Sequence, residues 1–104
     1  MKPIGPQLEK DIEKKIGEFA KQNNCLFYKF TSPSKRAVPD RMIITPQGVI
    51  GFLEVKAAGK KPTPLQMGEI IKLTKQGCTA TWCDNVEDGR EFVRKLLKTD
   101  REFC

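Results

Sequence analysis

The sequence contains no histidine. Its absence excludes a Ser/His/Asp triad, a Cys–His pair and a histidine general base. Any hydrolytic chemistry therefore has to rest on carboxylates, lysine and bound metal. The four cysteines, Cys25, Cys78, Cys83 and Cys104, include no Cys-x-x-Cys spacing, so the usual zinc sites are not expected either. Cys78 and Cys83 flank a short apolar run and read as core or edge residues. No stretch approaches 18 consecutive apolar residues, which leaves nothing to cross a membrane as a helix. The opening Met-Lys-Pro-Ile-Gly-Pro lacks the apolar core of a signal peptide. The expectation is an intracellular, cytoplasmic protein with reduced thiols. The single tryptophan, Trp82, falls in a predicted strand and reads as core rather than as a platform for stacked bases.

Positive charge is plentiful. Lysine and arginine number 19 against 13 acidic residues, giving a net charge of +6. Such a balance favours polyanionic partners, nucleic acid first and anionic membrane second. A length of 104 residues fits one domain, 1–104, with a single modest core. There is no internal repeat and no low-complexity tract.

The patterning predicts seven elements. Leu8, Ile12, Ile16, Phe19 and Ala20 recur at helical spacing over about Gln7–Gln22, and Asn23-Asn24 ends that helix. A strand follows over Cys25–Phe30, then a polar basic loop, 31–39. Strands over Asp40–Thr45 and Val49–Ala57 are joined by a turn at Pro46-Gln47-Gly48. After the basic loop 58–62, Thr63-Pro64-Leu65-Gln66 starts a helix: Thr63 as N-cap, Pro64 at the first helical position, Gln66 closing a capping box. Gly77 stops it near Gln76. Cys78–Cys83 forms a fourth strand, and Asn85 caps a last helix from Val86 to about Lys98 with Phe92, Val93, Leu96 and Leu97 inward. Three successive strands imply an antiparallel meander, and the strand–helix–strand crossover adds a parallel strand, right-handed by default. The fold class is α/β, a mixed four-stranded sheet flanked by helices in the order α-β-β-β-α-β-α.

The chemistry lies on the central hairpin. With Gln47 at its centre, Thr45 pairs with Val49, and Asp40 then pairs with Glu54. Directly opposed residues share a face with Cβ atoms roughly 4.5–5.5 Å apart. Lys56, two residues on, lies on that face too. Two opposed carboxylates repel and need positive charge, from Lys56 or from a divalent cation; Mg²⁺ commonly takes one or two carboxylates plus substrate phosphate. Such a cation polarises a phosphoryl oxygen, while Lys56 orients or deprotonates a water or steadies transition-state charge. The Val55 carbonyl is a further possible ligand. The competing reading of Glu54-x-Lys56 is a solvated, ion-paired strand face. A bulge would also shift the register.

Pro39-Asp40, about a dozen residues, and then Glu54-Val55-Lys56 on the next strand resembles the PD-(D/E)xK nuclease superfamily. Pro39-Asp40-Arg41, Gly51-Phe52-Leu53-Glu54-Val55-Lys56 and Thr63-Pro64-Leu65-Gln66, in that order, resemble the virus-type replication-repair nuclease (VRR-NUC) domain across nearly the whole chain. The resemblance implies a restriction-endonuclease-like core, Asp40, Glu54 and Lys56 as the catalytic set, and Mg²⁺ or Mn²⁺. It also implies a phage or bacterial homodimer acting on branched DNA such as Holliday junctions in repair. It calls for one acidic residue on the first helix. Glu9 and Glu13, four apart, share a helix face; the spacing that related junction resolvases keep between this acid and the turn into the first strand implies Glu13, counted to Asn24. In this family a glutamine at the place of Gln66 approaches the active site, a role compatible with capping.

Phosphate contacts are expected from Lys29, Ser32, Ser34, Lys35, Arg36 and Arg41 before and after the turn into Asp40, and from Lys60 and Lys61 after Lys56. Arg94, Lys95, Lys98 and Arg101 suit the last helix's dipole instead. A metal-dependent, structure-specific endodeoxyribonuclease is thus expected. The competitors are a non-catalytic DNA-binding protein on a nuclease fold and an interaction module with an incidental basic surface. The apolar surface for a dimer is sought at Phe27, Tyr28 or the last helix.

Overall fold

The computed structural model describes residues 8–99. Helix α1 spans Glu9–Gln22, strands β1, β2 and β3 span Leu26–Lys29, Arg41–Ile44 and Ile50–Val55, helix α2 spans Pro64–Lys75, strand β4 spans Thr79–Cys83, and helix α3 spans Val86–Lys98. The order is the one expected. Gln7, Arg101 and Cys104 lie outside the described residues.

Local chemistry sets the boundaries. Asn24 takes a left-handed conformation after α1, with φ 62, one that asparagine tolerates better than most residues. Thr63 Oγ1 accepts from the Gln66 amide at 3.2 Å and the Gln66 side chain accepts from the Thr63 amide at 2.9 Å, completing the capping box. Asn85 caps α3 by accepting from the Asp88 amide at 2.8 Å. Gly48 has φ 86 in the β2–β3 turn, the conformation glycine adopts without steric cost.

The sheet runs β1-β2-β3-β4, antiparallel except for the parallel pair β3–β4. Leu53 and Val55 point to one face, where they are fully buried with Ile12, Ile16, Ile43, Val93 and Leu96 between the sheet, α1 and α3. Burial of these aliphatic side chains contributes about 1.5–3 kcal/mol each, relative to exposure. Two glycines permit the close approach: a Cβ on Gly51 would come within 2.6 Å of Leu96, and one on Gly89 within 2.1 Å of Ile16.

Glu54 and Phe52 point to the opposite face, which α2 covers. That layer is thinner, with Ile70 buried and the Phe30 and Phe52 rings 5.3 Å apart. Two core expectations change. Leu8 is 56% exposed because it is the N-cap and stands outside the helix. Trp82 is only half-buried, because β4 is an edge strand.

Candidate active site

Residues Arg41↔Leu53 through Ile44↔Ile50 pair across the hairpin. The same register, continued one step, sets Asp40 opposite Glu54. Thr45 donates its amide to Val49 O at 2.9 Å at the turn end, so no bulge intervenes. Asp40 is the last residue before β2, and its carbonyl accepts from the Phe30 amide at 2.9 Å. Pro39 before it is fully buried, and Ala37 holds a left-handed φ of 69. For a non-glycine residue that conformation costs roughly 1–2 kcal/mol, so the loop is locked by its surroundings as it delivers Asp40.

Glu54 is 5% exposed. Gln66, in the first turn of α2, connects it to Lys56: its Nε2 donates to Glu54 Oε2 at 3.2 Å, and its Oε1 accepts from Lys56 Nζ at 3.3 Å. Gln66 therefore serves the cap and the carboxylate–ammonium pair with one amide. The half-buried Trp82 stands next to Glu54 in the β3–β4 register.

The first turns of α1 reach Asp40 from the side. Ligand oxygens of Glu9, Glu13 and Asp40 all lie within 4.8 Å of one another. The structure thus brings in both helix acids, where spacing favoured Glu13 over Glu9; being one helical turn apart, they can flank one point. Arg41 faces this cluster. Its Nε donates to Glu13 Oε2 at 2.9 Å, and its guanidinium lies 5.4 Å from the Phe27 ring centroid. It was expected among the phosphate contacts, and here it is engaged with an acid of the cluster.

Burial, then the charges of Glu13 and Glu9, push the Asp40 carboxyl up to about 6 against the relief given by Arg41. Burial and the nearby Asp40 push Glu54 up to about 7, with Lys56 opposing. The site holds more carboxylate than its own cations compensate. Asp40 Oδ1 is buried and has no hydrogen-bond partner, which normally costs about 1–3 kcal/mol or more for a charged group. An unpartnered carboxylate oxygen among converging acids fits a hard divalent cation, which takes oxygen ligands.

The remaining expected residues lie around this centre. Val55 has its side chain in the core. Lys35 pairs with Glu69 at 3.3 Å, bringing the 31–39 loop against α2. Lys29 pairs with Arg41 in register and is exposed, as are Arg36, Lys60 and Lys61; Ser32 is half-buried. Arg94 is held by Glu87 and Glu91 at 2.9 and 3.1 Å. Sequence reasoning missed the Arg41–Glu13 bond and the left-handed Ala37. The first joins residues 28 apart in sequence, and the second had no glycine to mark it.

No family model matches the chain. It is 44% identical over 69 residues, 66% of this chain and 74% of the other, to a protein described as "Putative nuclease p44" from Acyrthosiphon pisum secondary endosymbiont phage 1. A solved structure described as a VRR_NUC domain matches with a TM-score of 0.78 and 26% sequence identity, over 85% of this chain and 96% of that one.

Proposed function

This chain belongs to the VRR-NUC family of nucleases, and from that membership we propose that it is a divalent-metal-dependent endodeoxyribonuclease acting on branched DNA such as Holliday junctions. The observation that carries the reading is the orphaned Asp40 Oδ1 beside Glu9 and Glu13 and opposite Glu54. Asp40, Glu54, Glu13 and the Val55 carbonyl would hold Mg²⁺ or Mn²⁺, with Glu9 as an added donor. When bound, the cation supplies Lewis-acid polarisation of the scissile phosphoryl oxygen and neutralises the clustered charge.

The protein's own groups do the rest. Lys56 presents its ammonium to the developing phosphoryl charge and orients the attacking water. Gln66 fixes Lys56 and Glu54 relative to each other through its two hydrogen bonds. Glu13, Asp40, Glu54, Lys56 and Gln66 are the catalytic set. Lys29, Ser32, Lys35, Arg36, Lys60 and Lys61 are the phosphate contacts, with Arg41 reaching phosphate only as it yields Glu13.

A symmetric junction presents two strands for cleavage, and a homodimer supplies two sites under one two-fold axis. Leu26 and Tyr28, 47% and 51% exposed on the outer strand β1, give that dimer an apolar face. Phe27 lies on the other face of β1, against Gly17.

The test is incubation of the protein with a labelled four-way junction and a matching linear duplex, in Mg²⁺, Mn²⁺ or EDTA, beside Glu54→Ala. Junction cleavage that needs metal and vanishes in the variant is the expected result. Binding without cleavage under every metal would leave a non-catalytic DNA-binding protein on a nuclease fold.

A further inference from the structure

Helix α1 bears a second feature beside the acid cluster. Lys10, Lys14, Gly17 and Lys21 recur at steps of four, three and four, so they share one helix face. That face and β1 border an open cleft of about 390 Å³. Its floor is the Phe27 ring, which lies so close to Gly17 that a Cβ there would come within 2.9 Å. A larger residue at position 17 would fill the groove and lift the helix from the ring. At the end nearer the acid cluster stand Arg41 and Glu13, bonded to each other.

The cleft is therefore continuous with the candidate active site through two shared residues. It extends along α1 by about 16 Å from Lys10 to Lys21, at the usual helical rise. The three lysines are exposed and make no ion pair with any described residue. Glu13, bonded to Arg41, and Glu18 are the two acids on the rim. A row of solvated ammonium groups over an aromatic floor is complementary to a sugar–phosphate chain: the ammoniums meet phosphates, and the ring meets a deoxyribose or a base face.

We propose that the α1–β1 cleft is a track for the backbone of one DNA strand leading into the active site, with Lys10, Lys14 and Lys21 on its phosphates and Phe27 beneath them. The proposal rests on the nuclease reading and extends it. The loop contacts at Lys35, Arg36, Lys60 and Lys61 grip the DNA from the side of α2, and this cleft grips it from the side of α1.

Duplex binding is measured by fluorescence anisotropy over a salt series in EDTA for three proteins: the wild type, Lys10→Gln/Lys14→Gln/Lys21→Gln, and Lys75→Gln/Lys95→Gln/Lys98→Gln, which removes the same charge elsewhere. The slope of log affinity against log salt is expected to fall by about two to three in the first variant, with about tenfold or greater loss of affinity and far less change in the second. The cleavage KM rises with the affinity loss while kcat stays within about twofold, since no reacting group is removed. Lys14→Glu, one exposed substitution, gives an independent reading if the triple variant melts early. Equal losses in both triple variants would overturn the cleft, because net charge alone would explain them. A wild type that cleaves nothing would instead strike the nuclease reading, and the binding data taken in EDTA would still decide the cleft.

Discussion

Gln66 Nε2 donates to Glu54 Oε2 at 3.2 Å while the same residue's Oε1 accepts from the Thr63 amide at 2.9 Å. The start of α2 and the buried carboxylate on β3 are thereby held by one side chain. Gln66→Ala is expected to lower kcat about 10–100-fold, the usual cost of removing a partner that orients a ligand. KM should change little. Loss of the capping box adds roughly 1 kcal/mol of destabilisation. Turnover and thermal melts on one preparation separate the two effects; a stability loss with unchanged kcat would reduce Gln66 to a cap.

The raised carboxyls predict a pH signature. Asp40 rises from 3.8 to about 6 and Glu54 from 4.5 to about 7 in the folded protein. A carboxyl with a raised folded value favours folding in its protonated form, so its contribution is full below the unfolded value and is lost as pH rises through the folded one. In EDTA, stability should fall between about pH 4 and pH 7. Divalent cation binds the ionised groups and should restore stability most at high pH, by about 2.7 kcal/mol at a hundredfold excess over its Kd. Denaturant melts at pH 5 and pH 8, with and without Mg²⁺, check this. A flat profile in EDTA would mean that burial and the neighbouring charges do not raise these carboxyls in the folded protein.

Arg41 is the cation that the chain itself supplies to Glu13. Arg41→Ala should cost about 1.5–3 kcal/mol in EDTA, since a hydrogen bond to a charged group is lost. The deficit should shrink when Mg²⁺ compensates the acids. Urea melts under the two conditions measure it, and an equal deficit in both would place Arg41 outside the electrostatics of the cluster.

Gly89 lets α3 approach α1, and a Cβ there would meet Ile16 Cδ1 at 2.1 Å and Cγ1 at 2.6 Å. Ile16 is fully buried, so turning its side chain aside would displace core neighbours. Gly89→Ala should therefore destabilise by about 1–3 kcal/mol, despite alanine's better helix propensity. Because α1 carries Glu9 and Glu13, metal affinity should weaken as well. Thermal melts and a Mg²⁺ titration test the pair of effects.

Much of this protein could be read in order along the chain. Helical periodicity, the caps at Thr63 and Asn85, and the turn at Gly48 are local signals, and all seven elements follow from them. The Asp40–Glu54–Lys56 patch was legible too, because a period of two and a hairpin turn dictate which strand residues face each other.

What the chain order could not contain is how α1 lies against the end of the sheet. Hydrophobic spacing fixes which helix face goes inward but not the helix's position along its axis, and a shift of one turn exchanges Glu9 for Glu13 beside Asp40. Packing decided it. Gly89 against Ile16 and Gly17 against Phe27 set the depth and slide of α1, and both helix acids, with Arg41 bonded to one, then converge on Asp40. Residue type and strand period are local properties, so the residues able to carry the chemistry could be named along the chain. Which acids meet depends on close contacts between segments far apart in the chain, and those exist only once the helices pack on the sheet.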